Sequence, residues 1–82
     1  EWDKALQFFN RSLQIRERIG DTAGLATTWG NLGYLYEAQG DYGQALEYAS
    51  KALAVFEQLG AYEAAQVKEL VQRLREKMEE AK

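Results

Sequence analysis

The chain contains no cysteine, no histidine and no proline among its 82 residues. Without cysteine there are no disulfides and no thiol chemistry. Without histidine the commonest general base and the commonest transition-metal ligand are missing. Without proline no residue lacks the backbone N–H that a helix interior needs. No run approaches the roughly 18 apolar residues of a membrane span, and no leader of charged, apolar and small residues resembles a signal peptide. No membrane partner is expected, and the expected compartment is the cytoplasm. Positive charge is scarce in the middle: residues 21–67 hold the acids Asp21, Glu37, Asp41, Glu47, Glu57 and Glu63 against a single base, Lys51. Phosphate contacts need clustered lysine or arginine, so nucleic acid is not expected as a partner.

The residues that are present describe an ordinary globular domain, 46% hydrophobic and 28% charged with a net charge of -3. A domain this short buries only about 60% of its unfolded surface. The acids offer little to catalysis, because none sits in an apolar run that would perturb its pKa. Ser12 and Ser50 stand at helix positions where small residues aid packing, with no base to activate them. Glu76, Glu79 and Glu80 read as surface charges at i, i+3 and i+4 rather than metal ligands. Gly30 and Gly33 lie within a helix with no strand before them, so they form no phosphate loop. No catalytic, metal or cofactor site is expected.

Four helices can be read from the periodicity. The first runs from about Trp2 to Ile19, with Ala5, Leu6, Phe9, Leu13 and Ile19 near 3.6-residue spacing. Gly20 stops it, and Asp21 or Thr22 can cap a second helix from about Ala23 to Gln39. Gly40 and Asp41 repeat the stop-then-cap signal. The third helix runs from Tyr42 to Leu59, with an apolar stripe of Ala45, Leu46, Ala49, Ala52, Leu53 and Phe56. Gly60 ends it, and a fourth runs from about Tyr62 to Glu80. The second helix carries Trp29, Leu32, Gly33 and Tyr36, which share one face at offsets 0, +3, +4 and +7. A glycine inside a helix costs about 1 kcal/mol relative to alanine, so a second backbone pressed close to it is the natural compensation. Ala45 is a small residue able to meet Gly33.

Laying residues 2–20 on 42–60 reveals a 40-residue repeat. Ala5 matches Ala45, Leu6 matches Leu46, Leu13 matches Leu53, Glu17 matches Glu57 and Gly20 matches Gly60. Apolar and turn positions agree together, and a period of this size signals a helical repeat array. The second helix has no equal counterpart. Residues 62–82 replace its pattern with Val67, Leu70, Val71, Leu74 and Met78 and carry many charges. One apolar seam and a wide polar face suit a helix that closes a stack; the seam spans too few heptads to favour a coiled coil.

Trp29, Leu32, Gly33 and Tyr36, with Ala5 and Phe9 on the preceding helix, resemble the tetratricopeptide repeat family. The closing proline of that pattern is missing, and Ala45 is followed by Ala49 where the pattern has phenylalanine. The 40-residue spacing is similar to an extended-helix subclass whose repeats run ALxxxxxALxxxxxLG. The resemblance implies an all-α fold, an antiparallel helix-turn-helix repeat array (an α-solenoid fragment) of about four helices in a single domain, 1–82. Residues 1–20 would be the second helix of a partial repeat, 21–60 one complete repeat and 61–82 a C-terminal capping helix, as in a piece of a longer array or a truncated one.

The resemblance also implies a non-enzymatic interaction module that binds a protein or peptide on a concave surface. The side of the second helix opposite its packing face presents Thr27, Gly30, Asn31, Tyr34 and Glu37. Of these Thr27, Asn31, Tyr34 and Glu37 are the expected partner-binding residues, with a basic or neutral partner favoured by the acidic middle. Asn31 offers donors and an acceptor to a peptide backbone, or is simply an exposed amide. Tyr34 is an aromatic anchor, or packs on its own helix. A carboxylate clamp is not expected, because Asn31 has no basic or second amide neighbour and the register of Lys68 and Arg73 does not point clearly into the groove. The alternative function is self-assembly through uncovered end helices, with Trp2, Phe8 and Phe9 as contacts and a homodimer as the product. A third, remote reading is a scaffold within an enzyme or sensor.

Overall fold

Local chain signals set several of the helix boundaries, and the helices fall into sequential antiparallel pairs. The computed structural model describes residues 2–19 and 21–80, with residues 15–19 described by their backbone alone. Helix α1 spans Trp2–Ile19, α2 spans Thr22–Ala38, α3 spans Tyr42–Leu59 and α4 spans Glu63–Glu80. The stop expected at Gly20 and the side chain of Ile19 lie outside the described residues.

Asp21, rather than Thr22, caps α2: its carboxylate accepts the Gly24 N–H at 2.8 Å. Thr22 is already the first helical residue. Asp41 caps α3 the same way, accepting from the Gln44 N–H at 3.2 Å. At the far ends, Gly40 (φ 80°) and Gly60 (φ 65°) turn left-handed, the conformation that a Cβ disfavours. The reversal lets Asp41 N–H reach the Tyr36 carbonyl at 2.9 Å and Ala61 N–H reach the Phe56 carbonyl at 2.9 Å. Orphan carbonyls of both helices are thereby satisfied. Helix α4 starts one residue later than the periodicity suggests. No Ser, Thr, Asp or Asn stands before it, and Tyr62 sits in the turn, 79% exposed.

The largest interface is α2 against α3, followed by α3 against α4 and α1 against α2, and the smallest is α2 against α4. Helix α3 is therefore packed on two sides. Its residues Ala45, Ala49 and Ala52 are fully buried, and Phe56 nearly so. Leu32 from α2 and Leu70 and Leu74 from α4 are the largest side chains with no exposure. At about 25 cal/mol per Å² of buried apolar area, three such leucines stabilise the fold by several kcal/mol. Ser50, expected at a packing position, is instead exposed.

Gly33 shows why this packing needs a bare backbone. A Cβ there would lie 3.3 Å from Leu70 Cδ2, 3.4 Å from the Ala45 carbonyl oxygen and 3.4 Å from Ala49 Cβ. Three helices converge on one α-carbon, and Leu70 of α4 presses closest of all. The expected meeting with Ala45 is present, through that residue's carbonyl. Around this contact the aromatic residues interlock. Tyr36 and Tyr48 stack with ring centroids 5.7 Å apart, and Trp2 meets Tyr36 edge-on at 5.2 Å. Lys51, the one base of the acidic middle, lies over the Trp29 and Tyr48 rings. Burial, then the neighbouring Tyr48 and Asp41, pushes the Tyr36 phenol above its ordinary pKa.

Candidate binding groove

Because α2 and α4 run in the same direction on one side of α3, a furrow lies between them. Thr27, Asn31 and Tyr34 recur at +4 and +3 along α2, so the helix turns all three toward it. They line a single cavity of about 150 Å³ together with Gly30, Phe56 of α3, and Glu63, Gln66 and Val67 of α4. Its polar rim comes from both helices. Its floor is apolar: Gly30, Phe56 and Val67 are buried.

Gly30 differs from Gly33. A Cβ at residue 30 would meet Ala52 Cβ at 3.9 Å and Val67 Cγ2 at 4.0 Å, ordinary contact distances. An alanine would fit. The hollow exists where the chain forgoes a methyl group that the fold has room for. Above this floor Tyr34 is 42% exposed, and Thr27 and Asn31 are exposed. The Thr27 hydroxyl donates to the Ala23 carbonyl at 3.1 Å, which leaves its oxygen free to accept.

Glu37 shares the face of Tyr34 but not the cavity. Its carboxylate takes two hydrogen bonds from Arg73, Nε at 2.7 Å and Nη2 at 2.9 Å, and Lys77 Nζ lies 3.4 Å away. The Arg73 hydrogen bonds, opposed by partial burial, hold Glu37 below its ordinary pKa of 4.5. Glu37 is thus an exception to the expectation that no acid here is perturbed. Arg73 points to α2 after all, one end of a polar tie beside the apolar contact that Leu70 makes at Gly33. Lys77 also lies over the Tyr42 ring at 5.3 Å, extending the tie to α3.

The self-association candidates sit elsewhere. Trp2 is half-buried against Tyr36, Phe9 is half-buried, and Phe8 is 66% exposed with its ring edge-on to Phe9. Phe8 lies in a shallow depression on α1 between Lys4, Gln7 and Arg11.

The sequence places Phe56 in an apolar stripe and Glu63 among the acids, but assigns neither of them, nor Gln66, to the binding face. Their spacing within α3 and α4 carries no sign of the furrow, which exists only once both helices pack beside α2. No helix among the described residues is long and apolar enough to cross a membrane. No group of three His, Cys, Asp or Glu side chains among them could hold a metal ion.

Residues 1–58 match the family model for the Tetratricopeptide repeat, and the chain belongs to that family. Neither a curated protein nor a solved structure matches it. Tetratricopeptide repeat domains generally serve protein–protein interaction and are typically non-catalytic.

Proposed function

We propose that the chain is a non-enzymatic interaction module that holds a peptide or helix in the α2–α4 groove. The observation that carries this reading is the single cavity that gathers Thr27, Asn31 and Tyr34 over an apolar floor. A concave, mostly apolar hollow with a few convergent polar groups is the common form of a binding site. Asn31 supplies hydrogen bonds to a peptide backbone and Tyr34 supplies stacking area. Glu37 takes part at one remove, since its pairing with Arg73 and Lys77 ties α4 to α2 at the far end of the groove. Helix α4 serves as the cap of the stack, and the 40-residue spacing aligns the chain with the extended-helix subclass.

Peptide display against the whole chain tests the groove. A selected peptide should lose at least tenfold in affinity on Asn31→Ala or Tyr34→Ala, an effect on the order of 1.4 kcal/mol, and keep it on Phe8→Ala. The reverse pattern overturns the groove. A second reading, a homodimer joined through Trp2, Phe8 and Phe9, draws on the exposure of Phe8. Sedimentation equilibrium tests it: a monomer at high concentration removes that reading, and a dimer lost on Phe8→Ser supports it.

A further inference from the structure

The chemistry of the cavity restricts what it can hold. Its floor of Gly30, Phe56 and Val67 is apolar, one wall is the Tyr34 ring, and Glu63 stands at the rim. Helix geometry alone accounts for an acid at residue 63, in the first turn of α4, where a carboxylate complements the helix dipole. It does not account for that acid lining a hollow with an aromatic residue opposite. Lys68 follows Val67 in the chain but does not line the cavity, and three further cations are engaged elsewhere. Arg73 and Lys77 engage Glu37, and Lys51 lies over Trp29 and Tyr48. Among the described residues no lysine or arginine lines the cavity. Glu63 is the one charged residue of its lining.

A volume near 150 Å³ resembles that of an engineered core cavity that admits benzene, so several carbon atoms fit. An apolar floor, an aromatic wall and one carboxylate at the mouth suit a long side chain with a methylene stem and a charged tip. Resting on the groove reading above, we infer that this cavity is a pocket for a cationic side chain, arginine or lysine, of the bound peptide. The stem lies on Phe56 and Val67, the head is drawn to the face of Tyr34, and Glu63 is the counter-ion. Asn31 and Gln66 flank the mouth, where they can take the backbone on either side of the inserted residue.

The test uses the whole ¹⁵N-labelled chain and four blocked tripeptides, acetyl-Ala-X-Ala-amide, with X as arginine, lysine, citrulline or glutamate. Citrulline keeps the shape of arginine without its charge. The arginine and lysine peptides should shift the amides of Gly30, Asn31, Gln66 and Val67 and bind about tenfold more tightly than the other two. The preference should shrink as salt is raised to about 0.5 M, because the carboxylate at the mouth is open to screening. Glu63→Gln should abolish the preference while the peptides still shift the same amides. Equal binding of citrulline and arginine overturns the cationic pocket and leaves the groove standing. A preference that survives Glu63→Gln also overturns it. If no tripeptide shifts those amides, while a display-selected peptide does, the pocket again falls and the groove stands. If neither does, both fall together.

Discussion

Helices α1 and α3 are copies of one pattern placed in different surroundings. Forty residues apart, Ala5, Phe9 and Ser12 correspond to Ala45, Ala49 and Ala52. The three alanines of α3 are fully buried, whereas their α1 counterparts are half-buried. Tyr48 stacks on Tyr36, while its counterpart Phe8 faces solvent. The difference lies in the neighbours and not in the pattern, because α3 is packed between α2 and α4 while, among the described residues, α1 meets α2 alone. In a repeat array each helix draws its stability from the units on either side. A strand of sequence that reads as core becomes core only when both neighbours are there.

The same offset explains why α4 behaves unlike α2. Trp29, Leu32, Gly33 and Tyr36 correspond to Glu69, Gln72, Arg73 and Glu76, all exposed. The face that α2 turns to α3 is, on α4, a charged surface. Its opposite seam of Val67, Leu70, Val71 and Leu74 carries the burial instead.

Substitutions can break this contrast, beginning with the second cover of α3. Leu70→Ala removes a fully buried side chain from the point where α2, α3 and α4 meet, and should destabilise the fold by about 3 kcal/mol in urea unfolding. A loss under about 1 kcal/mol would mean that α4 does not hold α3. Gly33→Leu should cost about 1–3 kcal/mol, since the side chain must displace Leu70 and press on the Ala45 carbonyl and Ala49. A more stable variant would deny the close approach, because at an open site the better helix former wins.

Glu37→Gln cuts the α2–α4 tie and should cost about 1 kcal/mol at neutral pH, more than an isolated surface pair because the carboxylate is largely covered and held by two hydrogen bonds. The pair also sets a pH dependence. Glu37 ionises below its ordinary 4.5 in the folded chain, so its contribution is complete above about that pH and fades as pH falls through the lower folded value. Acid titration of stability should therefore be shallower in Glu37→Gln than in the parent chain. Equal slopes would leave Glu37 without a folded-state partner.

Gly30→Ala should raise stability by up to about 1 kcal/mol, since the methyl finds ordinary contacts and the helix gains propensity. The same methyl fills the floor of the groove, so stability and peptide affinity should move in opposite directions. Affinity unchanged in a stabilised variant would place the ligand elsewhere. The smallest effect belongs to α1: Phe8→Ser should change monomer stability by no more than about 0.5 kcal/mol. A larger loss would show that α1 is covered after all.

Much of the fold was legible because its signals are local. Asp41 and Gly60 bracket α3 at the boundaries that the spacing predicts, and the offsets of Trp29 to Tyr36 mark a packing face before any neighbour is known. Helix α4 begins one residue after the periodicity predicts because only the turn at Ala61 and Tyr62 sets its start. Half of the groove was legible for the same reason, since Thr27, Asn31 and Tyr34 lie on one helix. The other half comes from α3 and α4. Arg73 stands 36 residues from Glu37, and no periodicity links positions so far apart. The sequence assigns Glu37 to the partner-binding face, because its pairing with Arg73 is a matter of tertiary structure.

The account depends most on α2 and α3 meeting backbone to small side chain at residue 33. The direct measurement is the nuclear Overhauser effect between the Gly33 α-protons and the Ala49 methyl in the labelled chain. A strong cross-peak is predicted, matching the 3.4 Å between Ala49 Cβ and the place where a Cβ on Gly33 would stand. Its absence, with the Gly33 amide exchanging as fast as an exposed one, would contradict the packing and the groove built on it.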